Sequence, residues 1–116
     1  MKPETSFWKQ ISQLITSNRI IIDRPKHSVH PRYPEITYPL DYGYLENTTA
    51  SDGGGIDVWL GSLEQRTLTG ILCTFDTIKR DMEIKLLIAC HAQDIQTIQT
   101  FHGEMYNLYI PNPEAQ

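Results

Sequence analysis

Three runs rich in apolar and β-branched residues follow one another between residues 56 and 90, and only short polar breaks separate them. Runs of this length between turn-forming residues are typical of β-strands. Their sequences are IDVWLG, TLTGILCTF and MEIKLLIAC, with breaks at SLEQR and DTIKRD. Three consecutive isoleucines at positions 20–22 predict a further short strand, because β-branched residues favour extended backbone. The core of the chain is therefore expected to be a sheet.

An amphipathic helix is predicted on each side of these strands. Thr5 or Ser6 would cap the first helix and Asn18 would end it. A second helix is expected from about Ala92 to Asn107, followed by a tail from Tyr109 onward. Strands flanked by helices predict an α+β, mainly β domain on a curved or closed antiparallel sheet. The first helix has these apolar residues at the spacing of one helical face: Phe7, Trp8, Ile11, Leu14 and Ile15.

Length and charge narrow the possible functions. A chain of 116 residues suits one domain, taken as 1–116, and its net charge of -4 provides no basic face for a nucleic-acid backbone. Cys73 and Cys90 both lie in strand-like runs, so we expect reduced core thiols. No apolar run approaches the roughly 18 residues of a membrane span, and the first ten residues lack the layout of a secretion signal. These features predict a cytoplasmic protein that uses neither nucleic acid nor membrane.

A glycine-rich turn separates two aspartates at the start of the first of the three strands. Gly53, Gly54 and Gly55 lie between Asp52 and Asp57. Glycines permit positive φ and leave no side chains in the way, so the two carboxylates can converge on one cation. An Asp-Gly turn beside a strand is most often only a turn, and that interpretation stays open here. An EF-hand and a phosphate-cradling P-loop are both excluded, because the ligand positions of the first and the Gly-Lys-Ser/Thr of the second are absent.

Further charged residues occur where the next two strands meet. Asp76 ends one strand, and Asp81 and Glu83 begin the other. Glu83 and Lys85 are two residues apart in a strand, so both side chains point to one face. Ile84, Leu86 and Ile88 would then bury the opposite face. The face of Glu83 and Lys85 would be either solvated, the commoner case, or part of a polar cavity.

Two segments together resemble soluble inorganic pyrophosphatases of the magnesium-dependent, barrel-forming type. The segment 38–44, YPLDYGY, is similar to the aromatic segment of that family, and the segment 52–58, DGGGIDV, is similar to its signature Asp-Gly-Asp-Pro-apolar-Asp-Val. Upstream, IDRPKHS resembles the family's acidic-apolar-Pro-Lys-Gly-Ser strand end. The later Asp…Glu-x-Lys order fits as well, although more weakly.

This resemblance implies a fold and a reaction. The fold would be an OB-like five-stranded antiparallel barrel flanked by an N-terminal and a C-terminal helix. The reaction would be hydrolysis of inorganic diphosphate to two phosphates, with Mg²⁺ or Mn²⁺ activating water, in a homo-oligomer. The implied metal ligands are Asp52, Asp57, Asp76, Asp81 and Glu83, where Asp76 and Asp81 are alternatives for one role. The implied catalytic residues are Asp57, Lys85, Tyr42 and Arg32, and the implied substrate contacts are Arg32, Tyr42, Lys85, Tyr106 and Lys26.

The chain departs from the family pattern at three places. Gly54 stands where the family has the aspartate that orients or deprotonates the attacking water. A hairpin that carries a phosphate-binding arginine is missing, and Asn107 replaces a lysine. A second hypothesis is therefore a phosphate- or diphosphate-binding or scaffold protein that has kept the fold, and a third is a hydrolase of another small phosphoanhydride. His27 and His30 are expected to be a surface pair, with a role near the site as the alternative. His91 and His102 are expected to be a helix-end and a helix-surface residue, and Trp8 and Trp59 core residues.

Overall fold

The computed structural model describes residues 3–103 and 105–115, and the side chains from residue 6 onward. Two helices and six strands make up the described chain. In order they are α1 (Pro3–Ser17), β1 (Ile20–Arg24), β2 (Asp41–Leu45), β3 (Ile56–Leu60), β4 (Leu68–Asp76), β5 (Asp81–Ile88), α2 (Ala92–Phe101) and β6 (Tyr106–Pro111). The prediction of an α+β, mainly β domain is confirmed.

The six strands form one open, mixed sheet in the order β1-β2-β3-β5-β4-β6. All neighbouring pairs are antiparallel except β3 and β5, which run parallel. The closed five-stranded antiparallel barrel is therefore wrong for the described residues. Closure would require the two end strands, β1 and β6, to pair with each other, and each instead pairs on one side only.

Two strands were not predicted, and both have a physical explanation. At β2, Gly43 allows the two strands to approach closely, because a Cβ at this position would collide with the carbonyl oxygen of Ile21 on β1. The predicted helix to Asn107 is wrong beyond Phe101, since the turn at His102 and Gly103 ends α2. The following residues alternate between the two faces of the sheet and form β6, where a tail was expected from Tyr109.

The two faces of the sheet hold two separate cores. On one face, Trp8 and Ile15 of α1 pack on side chains such as Val58 and Leu86. The apolar face predicted for α1 is thus confirmed for Trp8, Ile11, Leu14 and Ile15 and wrong for Phe7, which is 44% exposed. Asn18 ends the helix by donating from Nδ2 to the carbonyl of Leu14. The predicted caps Thr5 and Ser6 are wrong, because α1 already begins at Pro3.

On the other face, α2 and the segment before β2 cover Trp59, Leu72 and Leu87. Both cysteines are free, with Cys90 buried and Cys73 half-buried, as predicted. Neither described helix has the length and apolar character that crossing a membrane requires. The candidate site lies on this second face, at the end where β3 and β5 begin.

Candidate functional site

Lys85 is the centre of a polar cluster on β5. Its side chain is 5% exposed, and its ammonium donates to Tyr42 Oη at 2.8 Å, Glu83 Oε1 at 2.9 Å and Asp57 Oδ2 at 3.1 Å. An ammonium carries three hydrogens, so these three partners use all of them. The interpretation of Glu83 and Lys85 as a solvated face is wrong for Lys85, and the alternative of a polar cavity is the one observed.

The register of three strands brings the cluster together. Asp57 and Lys85 are partners in the parallel pair of β3 and β5, and Glu83 lies two residues earlier on the same face of β5. Tyr42 comes from β2, where it is opposite Trp59, two residues beyond Asp57. The pairing of these three strands therefore brings Tyr42 and Lys85 together, although they are 43 positions apart in the sequence.

Aromatic rings fix the position of Tyr42. Its ring packs on Trp59 at 4.7 Å and on Tyr38 at 5.6 Å between centroids, and the Lys85 ammonium lies 5.3 Å from its centroid. Trp59 in turn donates from Nε1 to Nε2 of His102 at 3.1 Å. His102 is 6% exposed, so the expectation that it lies on the helix surface is wrong. Its Nε2 must be unprotonated to accept this bond, and burial lowers the pKa of His102 to about 4.

Burial and pairing shift the pKa of each member of the cluster. Burial alone would lower the pKa of Lys85, but its contacts with Tyr42, Asp57 and Glu83 outweigh this effect and raise it. Burial raises the pKa of Asp57 despite the adjacent lysine, and it also raises the pKa of Tyr42 well above the usual range of a phenol. The hydrogen bond from Lys85 lowers the pKa of the more exposed Glu83. At neutral pH the cluster therefore holds a charged lysine and a neutral phenol.

Four of the five predicted metal ligands line one cavity of about 240 Å³ next to this cluster: Asp52, Asp57, Asp81 and Glu83. Asp52 projects from the glycine turn, where its Oδ1 accepts from the backbone N–H of Gly54 at 2.9 Å. Carboxylate oxygens are the ligands that Mg²⁺ prefers. Within the described residues, however, no three His, Cys, Asp or Glu side chains are already arranged to hold a metal ion.

Asp76, the fifth predicted ligand, has a different role in the structure. Its Oδ1 accepts from the backbone N–H groups of Ile78 and Lys79 at 2.9 and 3.1 Å, which shapes the turn between β4 and β5. These bonds lower the pKa of Asp76. Asp76 lines a separate cavity of about 630 Å³, whereas Asp81 lines the acidic cavity. The geometry favours Asp81 over Asp76 for the shared role.

Three predicted substrate contacts do not line the acidic cavity: Lys26, Arg32 and Tyr106. Lys26 and Arg32 are exposed in the loop between β1 and β2, and no side-chain hydrogen bond or ion pair of either is found among the described residues. Tyr106 is 73% exposed on β6, on the α1 face of the sheet. That face is opposite to Lys85, so the backbone would have to rearrange before Tyr106 could reach the cluster.

Sequence reasoning missed the second layer of this site, in which Tyr38, Trp59 and His102 support Tyr42. Trp59 was expected to be a core residue, which is confirmed, but its partner His102 gave no local signal. His30 stacks on Tyr38 with a centroid distance of 6.1 Å, and its Nδ1 accepts from the backbone of Arg32 and Tyr33. These contacts are structural and organise the loop before β2.

No family model matches this chain, and no curated protein sequence matches it. Among solved structures, it is similar to an inorganic phosphatase from Anaplasma phagocytophilum. The likeness covers 81% of each chain, with 14% sequence identity and a TM-score of 0.47. At this level it carries no argument about the site or the reaction of this chain.

Proposed function

We propose that this chain binds inorganic diphosphate with the help of Mg²⁺ or Mn²⁺ and hydrolyses it to two phosphates. The observation that supports the proposal best is Lys85, which bonds to two of the four carboxylates that line one cavity. A buried cation, a neutral phenol and several carboxylates are the groups that phosphoanhydride chemistry needs, since that chemistry depends on positioning and electrostatics.

The charge of the cavity argues for a divalent cation. Four carboxylates line the cavity, and Lys85 pairs with two of them. Diphosphate is itself a compact polyanion, so the cavity and the substrate would repel each other without a cation between them. Asp52, Asp57, Asp81 and Glu83 are the residues that would hold it, and their oxygen donors fit Mg²⁺ or Mn²⁺. When bound, the cation would neutralise the substrate and lower the pKa of a coordinated water.

Lys85, Tyr42 and Asp57 would each have a separate role at the substrate. All three hydrogens of Lys85 have partners, so Lys85 can donate to a phosphoryl oxygen only if that oxygen replaces Tyr42 or one of the carboxylates. Tyr42 stays protonated, since burial raises its pKa, and can donate a hydrogen bond. Asp57 joins the two parts of the site, because its Oδ2 accepts from Lys85 and the same carboxylate lines the cavity that would hold the cation.

A second candidate is a module that binds diphosphate without hydrolysing it. Two observations favour it: Gly54 contributes no carboxylate at the turn, and all three hydrogens of Lys85 are satisfied inside the protein. Such a site would bind an anion by exchanging partners of Lys85, yet it would have no base in the position of residue 54.

Two measurements on three proteins separate the candidates. Phosphate release from diphosphate and calorimetric binding of diphosphate are measured with Mg²⁺ and Mn²⁺ on wild type, Asp57→Asn and Glu64→Gln. Glu64 is an exposed acid in the loop after β3 and serves as the matched control. We expect release by wild type and by Glu64→Gln, and its loss in Asp57→Asn. Binding without release would establish the second candidate, and the absence of both would refute the two together.

A further inference from the structure

One face of the sheet leaves large apolar side chains uncovered on three neighbouring strands. On β4, β5 and β6 the partner residues Phe75 and Met82, Cys73 and Leu108, and Ile71 and Ile110 share this face. We define the open apolar face by six residues and their exposed fractions: Phe75 (36%), Met82 (67%), Ile84 (53%), Tyr106 (73%), Leu108 (61%) and Ile110 (37%). The expectation that Ile84 is buried is therefore wrong.

This face continues the face that α1 covers. Ile71 and Leu86 pack in one cluster with Trp8 and Ile15 of α1. Among the residues that the structure describes, those further along the same strands have no such cover. Strand alternation places no charged residue on this side of the sheet within residues 71–75, 82–88 and 106–110. Half of one hydrophobic face is thus packed by the chain itself, while the other half is equally apolar and open.

The edge strand β6 lacks the usual protection against association. Its residues, YNLYIP, include no charged side chain, and only its last residue is a proline. Exposed edges are normally blunted by lysines, prolines or bulges. The outer side of β6 and the open apolar face are therefore both suited to contact with another chain.

The area of the face agrees with what a dimer needs. With roughly 200 Å² for the full surface of a large side chain, the exposed fractions leave about 650 Å² uncovered. This exceeds the roughly 300–600 Å² of the largest apolar patch on a typical monomer. Two such faces would bury about 1,300 Å², within the roughly 1,200–2,000 Å² of stable protein interfaces.

We propose that the open apolar face is the interface of a two-fold symmetric dimer of this chain. Two sheets packed face to face about 10 Å apart bury flat apolar surfaces of this kind, and a two-fold axis makes the same patch serve both copies. An anionic membrane is a poorer occupant, because the chain carries a net charge of -4. Lys85 itself lies on the other face, but Met82 and Ile84 also line the acidic cavity, so the interface would adjoin that cavity. The inference does not depend on which reaction the cavity supports.

The mass in solution tests the dimer directly. Sedimentation or light scattering of wild type should give twice 13.4 kDa, and Leu108→Glu should weaken the dimer about 30-fold or more, as expected for loss of an interface hot spot. Leu63→Glu is the matched control, since Leu63 is a leucine of similar exposure, 48%, outside this face. Tyr106→Lys, at a still more exposed position, repeats the test if Leu108→Glu fails to fold.

Cysteine reactivity gives a second readout. Cys73 is half-buried between Ile84 and Leu108, its partners on either side, whereas burial raises the pKa of Cys90 to about 12 and makes that thiol unreactive. Cys73 should react more slowly as protein concentration rises, and Leu108→Glu should abolish this dependence. A monomer at every concentration would overturn the proposal. Masses that grow without limit would also overturn it, because a two-fold interface closes at two copies and only a non-closing contact continues to add chains.

Discussion

Asp57 and Lys85 are direct partners across the parallel pair of β3 and β5. Lys85 Nζ and Asp57 Oδ2 lie 3.1 Å apart on the face of the sheet that α2 covers. The two strands are adjacent only because β4 lies on the far side of β5. The ion pair is therefore a product of the strand order. This relationship decides both the stability of the cluster and its chemistry.

Replacement of Lys85 by methionine should destabilise the fold by about 3 kcal/mol, because it leaves Asp57 and Glu83 without their cation. The loss should fall at the lower end of the range for buried pairs, since both carboxylates keep some solvent contact. Urea unfolding measures it. Adding Asp57→Asn to Lys85→Met should recover part of the loss, and Lys79→Met, an exposed change, should have little effect. A double variant less stable than Lys85→Met would contradict the ion-pair account.

Gly54→Asp should raise diphosphate hydrolysis by about 10²-fold, since a positioned general base typically contributes 10²–10⁴. The structure has room for it, because a Cβ at residue 54 would meet only Asp52 Oδ1, at an ordinary 3.5 Å. Gly54→Asn is the matched control, as it adds the same bulk without a base. Phosphate release measures the gain. Equal rates in both variants would mean that residue 54 does not face the reacting water.

Asp81→Asn should weaken Mn²⁺ binding more than Asp76→Asn does. Asp81 lines the cavity shared with Asp52, Asp57 and Glu83, whereas Asp76 serves the turn between β4 and β5. An asparagine at position 76 can still accept the two backbone bonds, so that variant should remain folded. Calorimetric titration of Mn²⁺ compares the two. A larger effect at Asp76 would reverse the assignment.

Acid should destabilise the protein through His102. Its pKa is about 4 in the fold against 6.5 ordinarily, so the unfolded chain binds the extra proton over that range. The contribution of His102 to the free energy of unfolding is then fully present above about pH 6.5. It falls as the pH decreases toward 4, and the total loss is about 3 kcal/mol. His102→Gln keeps an acceptor for Trp59 without titrating, so its unfolding free energy should depend less on pH in this window. Identical pH profiles for wild type and variant would contradict this prediction.

The sequence pattern correctly predicted the three central strands and the start of α2, because neighbouring residues determine these elements. The three central strands lie where the runs of β-branched residues placed them, and His91 is at the start of α2, where it was expected. β6 was missed because its apolar residues compete with a helical continuation of α2, and tertiary pairing with β4 decides between the two. The barrel was wrong because closure depends on how the end strands meet, which no single segment encodes.

The site was predictable residue by residue but not as an arrangement. The acids at 52, 57, 81 and 83 could be chosen from the sequence, and the structure places them around one cavity. The deep burial of Lys85 was not predictable, because it depends on Tyr42 and on the parallel pairing of distant strands. Tyr106 was misplaced for the same reason, since its face depends on the register of a strand that was not foreseen.

The central position of β5 has a consequence for motion. β5 is paired on both sides, so its amides should be among the slowest in the chain to exchange with deuterium. Lys85 is attached to this slowly opening strand, whereas Asp52 projects from an exposed bend beside Gly53, whose φ is 90°. The side of the cavity formed by β5 should therefore move only when the sheet unfolds. The side formed by the bend at Asp52 can change its conformation on a far shorter timescale, while all strands stay paired.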